Sequence, residues 1–163
     1  MLTAKHCAND VNYNFEPNVL TFGAGASDAP NGMIDLQFNR TLAPHSTNSQ
    51  FRATGRTSAD DRTVTQVANP TVGGIVCKWG EVTGYNCTTV QGVDFCVVFD
   101  YDIHARCGLA STVSPIIAPG DSGGPWFFAS TARGTTTGGN NSTSYFTQIG
   151  RAKTYLDASV LQQ

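Results

Sequence analysis

The hexapeptide Gly120-Asp121-Ser122-Gly123-Gly124-Pro125 decides how the rest of the chain is interpreted. A serine hydroxyl is an effective nucleophile only when a base takes its proton and hydrogen-bond donors stabilise the resulting oxyanion. Glycines allow successive backbone N–H groups to point toward one spot, and the amides of Gly120 and Ser122 are candidates for that role. The alternative is a glycine-rich turn between two strands. The match of all six residues in a row to this pattern argues against a simple turn.

The same stretch contains the G-x-S-x-G motif of α/β-hydrolases. In that class the histidine follows the serine, whereas His6, His45 and His104 all precede Ser122. This order, with flanks that lack a strand-turn-helix pattern, excludes an α/β-hydrolase and weakens the hypothesis of an esterase on another fold. The order histidine, aspartate, serine stays open.

Together with Thr3-Ala4-Lys5-His6-Cys7, the hexapeptide resembles the chymotrypsin-like serine proteases. Val76-Cys77-Lys78-Trp79-Gly80 and Thr83-Gly84-Tyr85-Asn86-Cys87 narrow the resemblance to the secreted bacterial branch, the streptogrisin and alpha-lytic type. It extends over nearly the whole chain. It implies an all-β fold of two antiparallel six-stranded Greek-key barrels, the first incomplete, with a short C-terminal helix.

The resemblance also implies one peptidase domain made of two parts. Residues 1–50 would be the remainder of the N-terminal barrel, with the catalytic histidine and aspartate. Residues 51–163 would form the C-terminal barrel, with the serine and the helix. Because His6 stands so early, we expect the signal sequence, any pro-region and the first strands to be missing from this chain.

His6 requires an acid that holds its ring in the correct tautomer. Asp35 lies within the apolar run Gly32-Met33-Ile34-Asp35-Leu36, where an unpaired carboxylate would be costly. We therefore predict that Asp35 orients His6. The rival is Asp28, whose neighbours indicate an exposed turn. His45 and His104 are predicted to face solvent.

Asp121, beside the nucleophile, is expected to be buried, and a buried carboxylate needs a cation. The resemblance implies that a basic residue directly after the cysteine at position 77 supplies it, and Lys78 occupies that place. The alternative is an exposed strand lysine.

The resemblance also assigns residues to substrate binding. The position six residues before the serine forms the base of the specificity pocket and is apolar here. A Thr-rich strand would bind the substrate backbone by β-addition, and its two glycines would leave room for a side chain. The expected substrate-binding residues are Ile116, Pro119, Thr137, Gly138 and Gly139.

Five cysteines leave one without an intramolecular partner. Cys77 and Cys87 flank a tight loop and are expected to form a disulfide, as in the resembled branch. If Tyr101-Asp102 is a two-residue turn, Cys96 lies opposite Cys107 in a hairpin, where the two could be bridged. Cys7 would remain unpaired. Disulfides indicate an oxidising compartment, so we expect the parent protein to be secreted.

Composition limits the remaining function classes. Charged residues make up 13% of the chain, about half the usual share, and the formal charge is −2. Neither nucleic acid nor a membrane is an expected partner. No motif indicates a cofactor, and no cysteine or histidine spacing indicates a metal. The expected partners are polypeptide substrates and proteinaceous inhibitors, bound by a monomer.

The function predicted is that of a serine endopeptidase that works through His6, Asp35, Ser122 and an acyl-enzyme intermediate. The alternative is a catalytically silent homologue or fragment that binds peptides or proteins. The presence of all three triad residue types favours the first, and the missing strands favour the second.

Overall fold

The computed structural model describes residues 1–7, 20–26, 33–44, 46–100 and 103–163; the side chains of residues 20–26 and of Met33 are excluded. Three of the predictions above concern residues outside the described ones. They are the rival acid Asp28, the histidine His45 and the Tyr101-Asp102 turn.

The N-terminal part of the chain forms a small antiparallel sheet. Its strands are β1 (Leu2–Thr3), β2 (Leu20–Ala26) and β4 (Leu36–Thr41), in the order β1-β4-β2. A separate two-residue strand, β3 (Met33–Ile34), precedes β4 and does not join this sheet. The break between β3 and β4 falls at Asp35.

The described residues after β4 form nine further strands and one helix. The bounds are β5 (Gln50–Arg52), β6 (Asp61–Thr63), β7 (Gln66–Val67), β8 (Ile75–Gly80), β9 (Gly84–Val98), β10 (Ala105–Thr112), β11 (Pro125–Phe128), β12 (Thr131–Gly139), β13 (Ser144–Gln148) and α1 (Gly150–Leu156). A 3₁₀ turn, Ser58–Asp60, joins β5 to its antiparallel partner β6. The expected class, all-β with one short C-terminal helix, is confirmed.

Six of these strands pair in a ring. The order is β11-β8-β9-β10-β13-β12, and β12 pairs in turn with β11. All six pairings are antiparallel. A ring removes most of the unpaired edge that an open sheet would expose.

Two backbone pairs connect the N-terminal part to this ring. In β3, Met33 pairs with Arg106 and Ile34 pairs with Cys107, in parallel with β10. The segment just before Asp35 therefore belongs to the sheet of the second part. Strand β3 of the expected first part thus pairs with β10 of the expected second part. The division at residue 50 stays a prediction.

The main core fills the ring. Trp126 of β11 and Phe146 of β13 stack with ring centroids 4.3 Å apart, and Val76, Val90 and Ala110 pack around them. These side chains come from five different strands. Each strand contributes to the core because alternate side chains of a strand point to the same face.

A second core joins α1 to the N-terminal part. Ala152 of the helix packs with Ile34, Leu36 and Cys107. The side chain of Ala152 is almost fully buried there. The helix ends at Asp157, whose backbone is left-handed (φ 47°).

Both expected disulfides are present. Cys77 and Cys87 are directly paired in β8 and β9, and Cys96 and Cys107 connect β9 to β10. Cys7 is a free cysteine. Within the described ranges no helix is long and apolar enough to cross a bilayer.

The Trp126–Phe146 stack predicts which aromatic side chains hold the fold. Phe146→Ala removes a fully buried ring and leaves a cavity, so the free energy of unfolding should fall by about 3–5 kcal/mol. Denaturant unfolding followed by tryptophan fluorescence measures it. Phe128→Ala, at a ring that is 43% exposed, is the control. An equal loss in both variants would contradict this assignment of the core.

Candidate active site

Asp35 and His6 form a close pair. The carboxylate of Asp35 is fully buried, whereas the side chain of His6 is 24% exposed. Asp35 Oδ2 lies 2.9 Å from His6 Nδ1, and Asp35 Oδ1 accepts a hydrogen bond of 3.0 Å from the backbone N–H of His6. An ionised carboxylate can only accept, so it favours the tautomer with its proton on Nδ1. The remaining nitrogen, Nε2, is then free of its proton and basic.

Local structure explains why this pair forms. His6 lies in a turn that follows β1, and Cys7 N–H closes that turn on Ala4 O at 3.1 Å. Asp35 lies between β3 and β4, each of which is held in a different sheet. The strand break at Asp35 is thus held from both sides.

The serine loop, residues 118–124, is a tight turn directly before β11. Asp121 N–H donates to Ala118 O and Gly124 N–H donates to Asp121 O, each at 3.0 Å. Gly120 (φ 100°) and Gly123 (φ 78°) take backbone conformations that side chains disfavour. Ser122 is half-buried between them.

The loop packs directly on the segment that carries His6. A Cβ atom at Gly123 would lie 1.9 Å from Thr3 Oγ1 and 3.1 Å from Ala4 N. No side chain fits there, so the glycine is what allows the two segments to touch.

Two amides of the loop remain available to an anion. Gly123 N–H is occupied, since it donates to Thr136 O at 2.9 Å. The N–H groups of Gly120 and Ser122 donate to no backbone carbonyl in the part of the chain that the structure describes. These are the two amides that the sequence indicated for an oxyanion.

Asp121 is buried at the base of the loop and is held by many donors. Its Oδ1 accepts hydrogen bonds from the backbone N–H groups of Val82 and Thr83, at 2.8 and 3.1 Å. Its Oδ2 accepts from Ala118 N–H at 3.1 Å and from the hydroxyl of Thr83. The ammonium of Lys78, fully buried, lies 3.4 Å from Oδ2. Lys78 is thus a buried partner of Asp121 rather than an exposed strand lysine.

The surroundings of Asp121 and Lys78 shift the pKa values of both side chains. Burial alone would raise the pKa of Asp121, but the hydrogen bonds from Thr83, Val82 and Ala118 outweigh it and hold the pKa below its ordinary value. Burial lowers the pKa of Lys78, and the attraction of Asp121 opposes that change. The attraction between the two groups favours the charged form of each.

Close packing at two glycines surrounds this carboxylate. A Cβ at Gly80 would lie 2.3 Å from Asp121 Cγ, and one at Gly124 would lie 2.5 Å from Trp79 O. The end of β8 can therefore approach the loop only where side chains are absent. This approach brings Lys78, on the same strand, into contact with Asp121.

The expected substrate-binding residues lie on two neighbouring segments. Ile116 N–H donates to Ser144 Oγ at 2.8 Å, and Gly139 is paired with Ser144 across β12 and β13. The hydroxyl of Thr137 is buried and bonds to that of Thr147 at 2.8 Å. Pro119 is exposed, and Gly138 is half-buried.

One edge of β12 is open beside these residues. β11 pairs with β12 only as far as Thr135, and no other described strand pairs with that edge at 137–139. An extended peptide could add there as a further strand. Ile117 narrows the adjacent space, since a Cβ at Gly139 would lie 3.3 Å from Ile117 Cδ1.

A large cavity lies away from these residues. It has a volume of about 760 Å³ and separates Leu2 and Phe38 of the small sheet from Trp79 and Phe127 of the ring. Its lining includes Gly123 but none of the residues of the expected triad. We assign it no part in the chemistry. Nor do three or more potential metal ligands meet anywhere in the described ranges.

Comparison with known proteins identifies what this arrangement resembles. The chain is 36% identical over 94 residues to streptogrisin-C of Streptomyces griseus, a match that covers 55% of the chain and 20% of that protein. Cellulomonas bogoriensis chymotrypsin superposes with a TM-score of 0.79 at 26% identity, over 99% of this chain and 85% of that one. The expected likeness to bacterial chymotrypsin-like serine proteases is confirmed.

A second solved bacterial protease shows the same likeness. Thermobifida fusca protease A superposes with a TM-score of 0.75 at 25% identity, over 99% of this chain and 84% of that one. No family model matches the chain. The chain thus spans most of the solved bacterial proteases but about a fifth of the length of the curated relative it matches.

Sequence reasoning missed two residues around the site. Thr83 bonds to Asp121, yet it was noted only as part of a family motif. Arg106 was given no role, yet it is buried, with Nη1 3.6 Å from Asp35 Oδ1. His104 itself is exposed and precedes β10. Neither contact has a signal in the sequence, because each joins residues far apart in the chain.

The buried pair predicts a large effect of removing its cation. Lys78→Met leaves Asp121 buried without a counter-charge, so the free energy of unfolding should fall by about 3–5 kcal/mol. Lys153→Met, at an exposed helix lysine, is the control and should change it by less than about 0.5 kcal/mol. Chemical denaturation at pH 7 measures both. A negligible loss in Lys78→Met would rule out a buried charged pair.

The pKa of Asp121 predicts a dependence on pH. Because the folded state lowers this pKa below 3.8, ionised Asp121 stabilises the fold above that pH, and the contribution is lost as the pH falls through the folded-state pKa. Asp121→Asn should therefore show a shallower loss of unfolding free energy between about pH 5 and 2 than the unmodified chain. Glu81→Gln, at a surface carboxylate, is the control. Parallel pH profiles for Asp121→Asn and the unmodified chain would contradict the prediction.

Proposed function

We propose that this chain is the catalytic part of a serine endopeptidase. The observation that carries the proposal is the buried carboxylate of Asp35 on Nδ1 of His6, 2.9 Å away, beside a loop that presents Ser122. A carboxylate at Nδ1 leaves Nε2 to act as a base and stabilises the imidazolium that forms.

The steps follow from the chemistry of these groups. His6 Nε2 takes the proton of Ser122 Oγ, which attacks the carbonyl carbon of a peptide bond. The N–H groups of Gly120 and Ser122 stabilise the oxyanion. The protonated His6 then gives its proton to the leaving amine, and an acyl-enzyme remains on Ser122. Water, deprotonated by His6, hydrolyses that ester and restores the serine.

The supporting parts have separate tasks in this proposal. The Lys78–Asp121 pair anchors the loop so that the amides of Gly120 and Ser122 keep their direction. The open edge of β12 at Thr137, Gly138 and Gly139 receives the substrate backbone.

Proteins cleaved after small or medium apolar residues are the substrates that this space favours. Ile116 is apolar and packs against the main core, and Ile117 limits the room beside Gly139. Pro119 lies on the exposed rim of the loop. Two disulfides in the described fold support export of the parent protein to an oxidising compartment.

Active-site labelling tests the proposal. A fluorescent fluorophosphonate should modify the folded chain at Ser122, and Ser122→Ala should abolish the reaction. Asp35→Asn should slow it by roughly 10⁴-fold, because the ring then loses its correct tautomer. Ser142→Ala, at an exposed loop serine, is the control and should label at the unmodified rate.

Hydrolysis of a peptide library by the same variants completes the test. Cleavage that disappears in Ser122→Ala supports an endopeptidase. A folded chain that neither labels nor cleaves peptides would overturn the proposal in favour of the silent homologue. Labelling that persists in Ser122→Ala would overturn the choice of nucleophile.

A further inference from the structure

A cationic side chain lies beside the carboxylate that orients His6. Arg106 Nη1 is 3.6 Å from Asp35 Oδ1, and its side chain is only 8% exposed. The mechanism proposed above does not use Arg106. An arginine kept out of solvent next to such a carboxylate affects both the position and the charge of that carboxylate.

The fold keeps the backbone of Arg106 in one place. In β10 it pairs with Val97 of β9 on one side and with Met33 of β3 on the other. The next residue, Cys107, is bonded to Cys96. Asp35 follows β3 directly, so the pairing that holds Met33 also sets the distance between the guanidinium and the carboxylate.

The two oxygens of the carboxylate have different surroundings. Oδ2 faces His6 Nδ1, whereas Oδ1 faces both the backbone N–H of His6 and the guanidinium of Arg106. Cys7 is a further titratable group near Asp35. Burial raises the pKa of its thiol, and the negative charge of Asp35 raises it as well. From β13, the neutral hydroxyl of Thr147 reaches the backbone oxygen of Asp35 at 3.5 Å.

We propose that Arg106 is a positioning residue for the proposed protease reaction. It draws Oδ1 of Asp35 toward β10 and thereby leaves Oδ2 directed at His6 Nδ1. It also shares the negative charge of Asp35, so that the carboxylate stabilises the imidazolium of His6 less than it would alone. The proposal rests on the function proposed above, and it acts only through Asp35.

Neutral variants at position 106 separate these effects. Arg106→Met keeps an apolar stem and removes the cation, and Arg106→Gln is a second neutral variant that retains a hydrogen-bond donor. In both, kcat for a peptide substrate should fall roughly ten- to a hundredfold, as expected for a small misplacement of a catalytic group, while KM changes little. Arg106→Lys, which restores a cation, should recover part of kcat.

Titration of the His6 ring by NMR is the readout that a purely structural role would not move. Without the guanidinium, Asp35 should stabilise the imidazolium more strongly, so the midpoint should move to higher pH. In an Asp35→Asn background, neutralising Arg106 should leave the midpoint unchanged. His6→Gln assigns the signal. Arg133→Met is the matched control, because that arginine donates instead to the backbone oxygens of Ala68 and Asn69.

The outcomes distinguish this inference from the proposed function. A rise of the midpoint that depends on Asp35 supports the role of Arg106 even if the chain shows no turnover. An unchanged midpoint in a folded neutral variant overturns it, although fluorophosphonate labelling of Ser122 would still support the protease. Equal shifts in Arg133→Met and Arg106→Met would also overturn it, since the effect would then be one of net charge.

Discussion

Two backbone pairs, Met33 with Arg106 and Ile34 with Cys107, hold the N-terminal part of the chain on the six-stranded ring. The candidate site depends on this short parallel pairing. It places Asp35 at the junction, where burial removes water and where His6 and Arg106 approach the carboxylate from different segments. A carboxylate buried without such partners would be protonated or would destabilise the fold.

The site uses two buried carboxylates for different purposes. Asp35 faces His6, a side chain that can gain or lose a proton. In the proposed mechanism the negative charge of Asp35 stabilises the protonated form of His6. Asp121 faces a lysine and a set of backbone donors, which hold its pKa low and keep its charge constant. The first arrangement is suited to catalysis, and the second is suited to fixing the loop that presents Ser122. A buried pair of this kind does not by itself raise stability, but losing one partner is expensive.

Glycines permit the close approaches that assemble these groups. Gly123 allows the serine loop to touch Thr3 and Ala4, and Gly80 allows β8 to reach Asp121. At each of these glycines, a Cβ atom would lie too close to the neighbouring atoms. The geometry of the site therefore depends on these glycines as well as on the polar side chains. The same principle holds at the open edge of β12, where we propose that Gly138 and Gly139 offer their backbone to a substrate.

The class of the fold, the likeness to bacterial chymotrypsin-like proteases, the two disulfides and the C-terminal helix could all be predicted from the sequence. These follow from local patterns: alternation, glycine spacing, cysteine positions and a motif read over a few neighbouring residues. The catalytic roles of His6, Asp35 and Ser122 remain predictions, as does the division near residue 50. Only the tertiary structure decided that Lys78 is buried against Asp121 and that Arg106 turns inward toward Asp35. Both depend on which distant strands become neighbours, and strand alternation alone specifies two faces without stating what covers either of them.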